Sequence, residues 1–128
     1  MLKYGNMETK QATAIFEALS SDVRLNLFRL LVKYAPGGLV AGEIAKHLNV
    51  TNTNLSFHLK TLLYTGLITM EKEGRFLRYR ANIPLMLDTI AYLTEECCSG
   101  QPEKCRAYRA ASSVSPAVLP EHGFAKKK

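Results

Sequence analysis

Between Tyr64 and Leu67 the spacing of apolar residues changes from about 3.6 to 2, and Gly66 sits at the change. Before it, Leu55, Leu59, Leu62 and Leu63 follow a helical stripe. After it, Leu67–Lys72 and Phe76–Ala81 alternate as two strands around Glu73-Gly74-Arg75. Leu77 and Tyr79 share one face of the second strand, and Arg78 and Arg80 the other, which predicts a packed side and a basic side.

The segment upstream supplies the remaining helices. Residues 8–19 place Ala12, Ile15, Phe16 and Leu19 on one stripe. Ser20-Ser21-Asp22 then offers N-cap chemistry for a second helix, with Val23, Leu27, Leu30, Leu31 and Tyr34 inward and Pro36-Gly37-Gly38 as its end. A short third helix spans about Ala41–Leu48, and Asn49-Val50-Thr51-Asn52 turns the chain into a fourth, about Thr53–Tyr64. Two helices joined by so short a turn form a helix-turn-helix. Pro84 opens a fifth helix, through about Glu96, that is apolar on more than one face. In so small a domain its second packing partner is expected to be another copy of the chain. The predicted fold is mainly α (α+β), a homodimeric winged helix-turn-helix of order α-α-α-α-β-β-α.

At 128 residues the chain suits one domain, and no window approaches the length of a membrane span. We expect residues 1–105 to form the folded domain and 106–128, rich in Ala, Ser and Pro before Lys126-Lys127-Lys128, to be a disordered tail. The N-terminus lacks the pattern of a secretory signal, so a cytoplasmic protein without membrane partners is expected. The net charge of +6 is uneven: residues 46–80 carry six Lys/Arg against two Glu, while 81–105 carry four acids against one Lys. A basic middle beside an acidic helix suggests a nucleic-acid surface set apart from a dimer or ligand surface, although solvation of the surface explains the charge equally well.

The fourth helix is expected to lie in the major groove of double-stranded DNA, with Asn52, Thr53, Asn54 and Ser56 nearest the bases. Lys60, Lys72, Arg75 and Arg78 are expected to contact phosphate. His58 either touches DNA or is a packed, hydrogen-bonded helix residue.

All three cysteines, Cys97, Cys98 and Cys105, fall within nine residues at the end of the fifth helix. An odd number, two of them adjacent, is a poor disulfide framework, and reducing conditions leave thiols free to bind metal or react. Zinc prefers four ligands, and the nearest downstream histidine is His122. Arsenite and antimonite take three thiolates, and soft thiolates select soft centres. Thiol phosphatase chemistry needs an Arg six positions after the nucleophile; those positions hold Glu103 and Lys104, so no catalytic role is expected.

The stretch Ala18-Leu19-Ser20-Ser21-Asp22-Val23-Arg24-Leu25, the run Asn54–Leu62 with Gly66-Leu67-Ile68, and Glu73-Gly74-Arg75 with Tyr79 together resemble the ArsR/SmtB family of metalloregulatory repressors, over about residues 10–98. The resemblance implies a homodimer that binds operator DNA and releases it on binding a metal or metalloid. Of the family's effector sites, the Cys-Val-Cys type has no counterpart in Leu39–Ala45. The zinc type on the final helix would have Asp88 but no histidine between residues 59 and 121. What remains resembles the arsenite-responsive branch, which implies As(III) or Sb(III) at Cys97, Cys98 and Cys105 as the effector of an arsenic-resistance repressor. A thiol-based redox repressor and a two-thiol organoarsenical sensor are the alternatives.

Overall fold

The computed structural model describes residues 7–97 and 101–115. The chain forms two compact units, Met1–Tyr92 and Leu93–Lys128. The elements run α1 (Thr9–Ala18), α2 (Asp22–Lys33), β1 (Leu39–Val40), α3 (Ala41–Leu48), α4 (Asn52–Thr65), β2 (Ile68–Glu73), β3 (Phe76–Ala81), α5 (Ile83–Thr94) and α6 (Pro102–Ala111).

Local chemistry sets most of these boundaries. Ser21 caps α2, its hydroxyl accepting from the Arg24 backbone N–H at 3.3 Å. Thr51 caps α4 in the same way through the Asn54 N–H, 3.1 Å away. Glu43 reaches back from the first turn of α3 to accept the Val40 N–H at 3.1 Å. The turn between α3 and α4 passes through Asn49 in the left-handed region (φ 56), a conformation asparagine tolerates better than most residues. Gly66 ends α4 at φ 85, where a side chain would be strained.

Asn82 joins β3 to α5. Its side chain accepts from the Leu85 N–H at 3.2 Å, capping α5, while its amide donates to the Gly66 carbonyl at 2.8 Å. The start of α5 is thereby tied to the end of α4.

The sheet is antiparallel, in the order β1-β3-β2. Gly74 opens the β2–β3 turn at φ 63, the first central position that a II′ hairpin reserves for glycine. Strand β1, absent from the expected order, adds Leu39 opposite Tyr79 and Val40 opposite Arg78. Two residues are too few for a period of 2 to be visible in a sequence; pairing with β3 makes them a strand.

The core of the first unit gathers Ile15 of α1, Leu27 and Leu31 of α2, Ile44 of α3, Leu55 and Leu62 of α4, and Leu67 with Ile68 at the start of the hairpin, all fully buried. Each such side chain contributes roughly 1.5–3 kcal/mol relative to exposure. The expected stripes hold with small rotations. On α1 Ala18 is buried and Phe16 is exposed; on α2 Phe28 is buried, and Tyr34 instead lies against the His47 ring, 5.4 Å between centroids.

The C-terminal segment differs from expectation. The boundary expected between 105 and 106 falls inside α6, and residues 106–111 are helical where a disordered tail was predicted. The run Glu103–Ala111 has no apolar stripe, but Glu, Lys, Arg and Ala are all strong helix formers and Pro102 sits in the first turn. Intrinsic propensity, without periodicity, accounts for the helix. The part of the expected tail from 116 to 128 lies outside the described residues.

Candidate nucleic-acid interface and thiol site

Helix α4 turns Leu55, Leu59 and Leu62 into the core. Its opposite side carries Asn52, Thr53, Ser56, Phe57 and Lys60, which line one shallow depression. The structure therefore brings three of the residues expected nearest the bases, Asn52, Thr53 and Ser56, onto one surface with Lys60, an expected phosphate contact. Asn54 is exposed too, but lies off this depression.

His58 is placed differently. Its Nδ1 lies 3.1 Å from Nη1 of Arg24 on α2. A guanidinium only donates, so Nδ1 accepts and the ring proton of the neutral imidazole resides on Nε2. Burial, and secondarily the Arg24 charge, lower the His58 pKa below the usual histidine value. Nε of the same arginine donates to the Ala18 carbonyl at 2.7 Å. Arg24 thus ties the end of α1 and the middle of α4 to the start of α2. Of the two roles open to His58, this geometry is that of the packed, hydrogen-bonded one.

The wing also departs from expectation. Arg78 donates from Nε to both Glu73 carboxylate oxygens at 3.0 Å, and from Nη1 to the Gly38 carbonyl at 3.2 Å. Arg80 pairs with Glu71 at 2.6 Å and donates to the Pro36 carbonyl at 3.1 Å. The face expected to be basic is a lattice of two arginines and two glutamates, because the antiparallel register puts Glu71 and Glu73 on the face of Arg78 and Arg80, each arginine pairing with the glutamate diagonal to it. The Arg78 guanidinium is thus engaged by Glu73 and by the carbonyls of the Gly37-Gly38 turn. Gly38 itself sits at φ 75, where an added Cβ would collide with the Tyr79 carbonyl. Lys72 and Arg75, at and beside the wing tip, are exposed and form no ion pair among the described residues.

In the second unit the Cys97 and Cys105 sulfurs stand 3.5 Å apart, with Cys97 exposed and Cys105 buried. Cys105 falls in the first turns of α6, so the helix that sequence periodicity missed is what positions this thiol. Cys98 lies outside the described residues, and among those described no three His, Cys, Asp or Glu side chains are grouped to hold a metal.

A helix-turn-helix domain family matches residues 19–71, which span α2 through the start of the wing. The arsenical resistance operon repressor of Staphylococcus aureus is 30% identical over 100 residues, covering 78% of this chain and 93% of that protein. The chain belongs to the ArsR/SmtB family of transcriptional regulators. The transcriptional repressor SdpR of Bacillus subtilis is likewise 30% identical, over 62% of this chain and 84% of its own. An ArsR-like transcriptional regulator from Rhodococcus sp. RHA1 superposes with a TM-score of 0.62 at 25% identity, covering 82% of this chain and 96% of that one. As an ArsR/SmtB-family member the chain is a winged-helix regulator and not an enzyme. No helix among its described residues is long and apolar enough to cross a membrane.

Sequence reasoning missed two residues of this site. Arg24 was visible only as part of the Ser-Ser-Asp-Val-Arg-Leu stretch, and Phe57 only as part of the run Asn54–Leu62. The signal for Phe57 was available: it lies two residues after Leu55, off the stripe of Leu55, Leu59 and Leu62.

Proposed function

We propose that this regulator is the repressor of an arsenical-resistance operon, bound to operator DNA as a homodimer and released when As(III) or Sb(III) is held by Cys97, Cys98 and Cys105. The observation that carries this reading is the 3.5 Å separation of the Cys97 and Cys105 sulfurs. Thiolate bonds to zinc, a borderline-soft centre, run about 2.3 Å, so two such bonds at roughly 90–110° hold their sulfurs about 3.3–3.8 Å apart. The pair thus already has the spacing of two ligands on one atom. Cys98, adjacent in sequence to Cys97, is the third thiol of the set. Three thiolates and no histidine suit a three-coordinate metalloid better than zinc.

Operator contact is assigned to Asn52, Thr53, Asn54, Ser56 and Lys60 on α4 and to Lys72 and Arg75 on the wing. His58 serves through its bond to Arg24. The dimer reading is supported by α5, which leaves Leu87 and Leu93 exposed, and by Phe16 of α1. For release, the effector must favour the state with lower DNA affinity, with a coupling typically of about 1–3 kcal/mol, and DNA must weaken effector binding by the same factor.

The same thiol pair supports a second reading, in which a peroxide oxidises Cys97 and Cys105 to a disulfide and is itself reduced to water or alcohol. One titration separates the two: release of an operator fragment by arsenite, antimonite, zinc or peroxide. Release by arsenite and antimonite under reducing conditions supports the metalloid reading. Release by peroxide alone replaces it with the redox one.

A further inference from the structure

We infer that Phe57 is a base-reading residue whose ring packs on the C5-methyl group of a thymine in the major groove. The inference rests on the DNA-binding reading above and names part of its specificity. Along α4, Thr53, Phe57, Lys60 and Tyr64 follow the i, i+4, i+7, i+11 spacing of one helix face, opposite the buried leucines. Phe57 is 63% exposed on that face, although an exposed phenylalanine contributes little to folding. Its ring meets the His58 ring edge-on at 5.3 Å, and otherwise looks into the depression shared with Asn52, Thr53, Ser56 and Lys60.

The frame identifies the partner. An apolar protein surface docked on Phe57 would bury Lys60 and Asn52 without satisfying them, which is costly. The major-groove edge of a base pair mixes hydrogen-bonding groups with one apolar group, the thymine methyl, and is flanked by phosphates. Amides and hydroxyls around an aromatic ring, with an ammonium at the rim, match that mixture. Phe57 also sits about 8 Å along the helix from Asn52, still within the first two turns, where a groove-bound helix is nearest the bases.

The test uses the full chain and a random-sequence DNA duplex library. Duplexes enriched by the wild type are resynthesised with single thymidines replaced by deoxyuridine, which removes only the methyl group, and affinities are compared at fixed salt. One thymidine per half-site is expected to weaken wild-type binding about four-fold when demethylated, the worth of one buried methyl. Phe57→Ala is expected to bind the unmodified duplex at least four-fold more weakly and to lose no further affinity on demethylation, while Phe57→Leu retains part of the sensitivity. Wild-type affinity insensitive to uracil at every thymine overturns the inference, as does Phe57→Ala keeping the full wild-type sensitivity. A library that yields no enriched sequence overturns the DNA-binding reading itself, and this inference with it. The wild-type uracil series does not depend on how any variant folds.

Discussion

Arg24 on α2 and His58 on α4 are joined by a 3.1 Å hydrogen bond in which the imidazole is the acceptor. Because the same guanidinium also holds the Ala18 carbonyl, the rotation of α4 about its axis is referred to both α1 and α2. The face that α4 offers to DNA is in this way set from behind, by side chains that need not touch the operator.

Arg24→Lys is expected to destabilise the fold by about 1–2 kcal/mol, since one ammonium cannot reproduce a fork aimed at two acceptors on different helices. Urea unfolding checks this. DNA affinity measured well below the unfolding midpoint should fall as well, and unchanged values of both would remove Arg24 from the positioning of α4.

The burial of His58, and secondarily the Arg24 charge beside it, make stability depend on pH. Its pKa is lowered in the folded state, so the unfolded chain binds the proton more readily below the usual histidine value of 6.5. Stability from this group is therefore fully present above that value and declines as pH falls through the lowered folded pKa. Urea midpoints of the wild type should drop between pH 7 and pH 5 by more than those of His58→Gln. Parallel curves would show that His58 contributes nothing to the slope.

Arg75 and Arg78 are expected to part company on mutation. Arg75→Ala should weaken binding to every DNA sequence and reduce the salt slope by about one, as the loss of one phosphate contact does. Arg78→Ala should leave the slope unchanged and cost about 1 kcal/mol of stability, because its charge is already committed to Glu73 and its N–H groups to the Gly38 carbonyl. Affinity against log salt, beside thermal unfolding, distinguishes the two.

Cys105→Ser should abolish arsenite-driven release while leaving operator affinity without arsenite within about two-fold of wild type. The titration is read by fluorescence anisotropy of a labelled operator fragment. A full arsenite response in this variant would exclude the buried thiol from the effector site and leave Cys97 and Cys98 as a two-thiol sensor.

Much of the fold was legible because its signals are short-range. The Ser21 cap, the Gly66 stop and the change of period around it each lie within a few residues of the element they define, and α2, α4 and the hairpin follow. Strand β1 was not legible, since two residues carry no period. Helix α6 was missed for the opposite reason: propensity alone maintains it, with no apolar stripe to reveal it. At the DNA surface the depression on α4 followed from helical spacing, whereas the pairing of Arg78 did not, because its partner is chosen by strand register.

By itself, the sequence determined the order of α1 to α5 and the hairpin, the face of α4 that turns outward and the presence of three thiols near the end of α5. These depend on spacing along one segment. Only the tertiary structure decided that Arg78 and Arg80 are spent on Glu73 and Glu71, that His58 turns back to Arg24, and that Cys97 meets Cys105 across the start of α6. Those outcomes depend on which groups come within hydrogen-bond or thiol reach after the chain has folded back on itself. A charge or a sulfur keeps its identity in the sequence, but its availability is a property of the neighbours the fold brings to it.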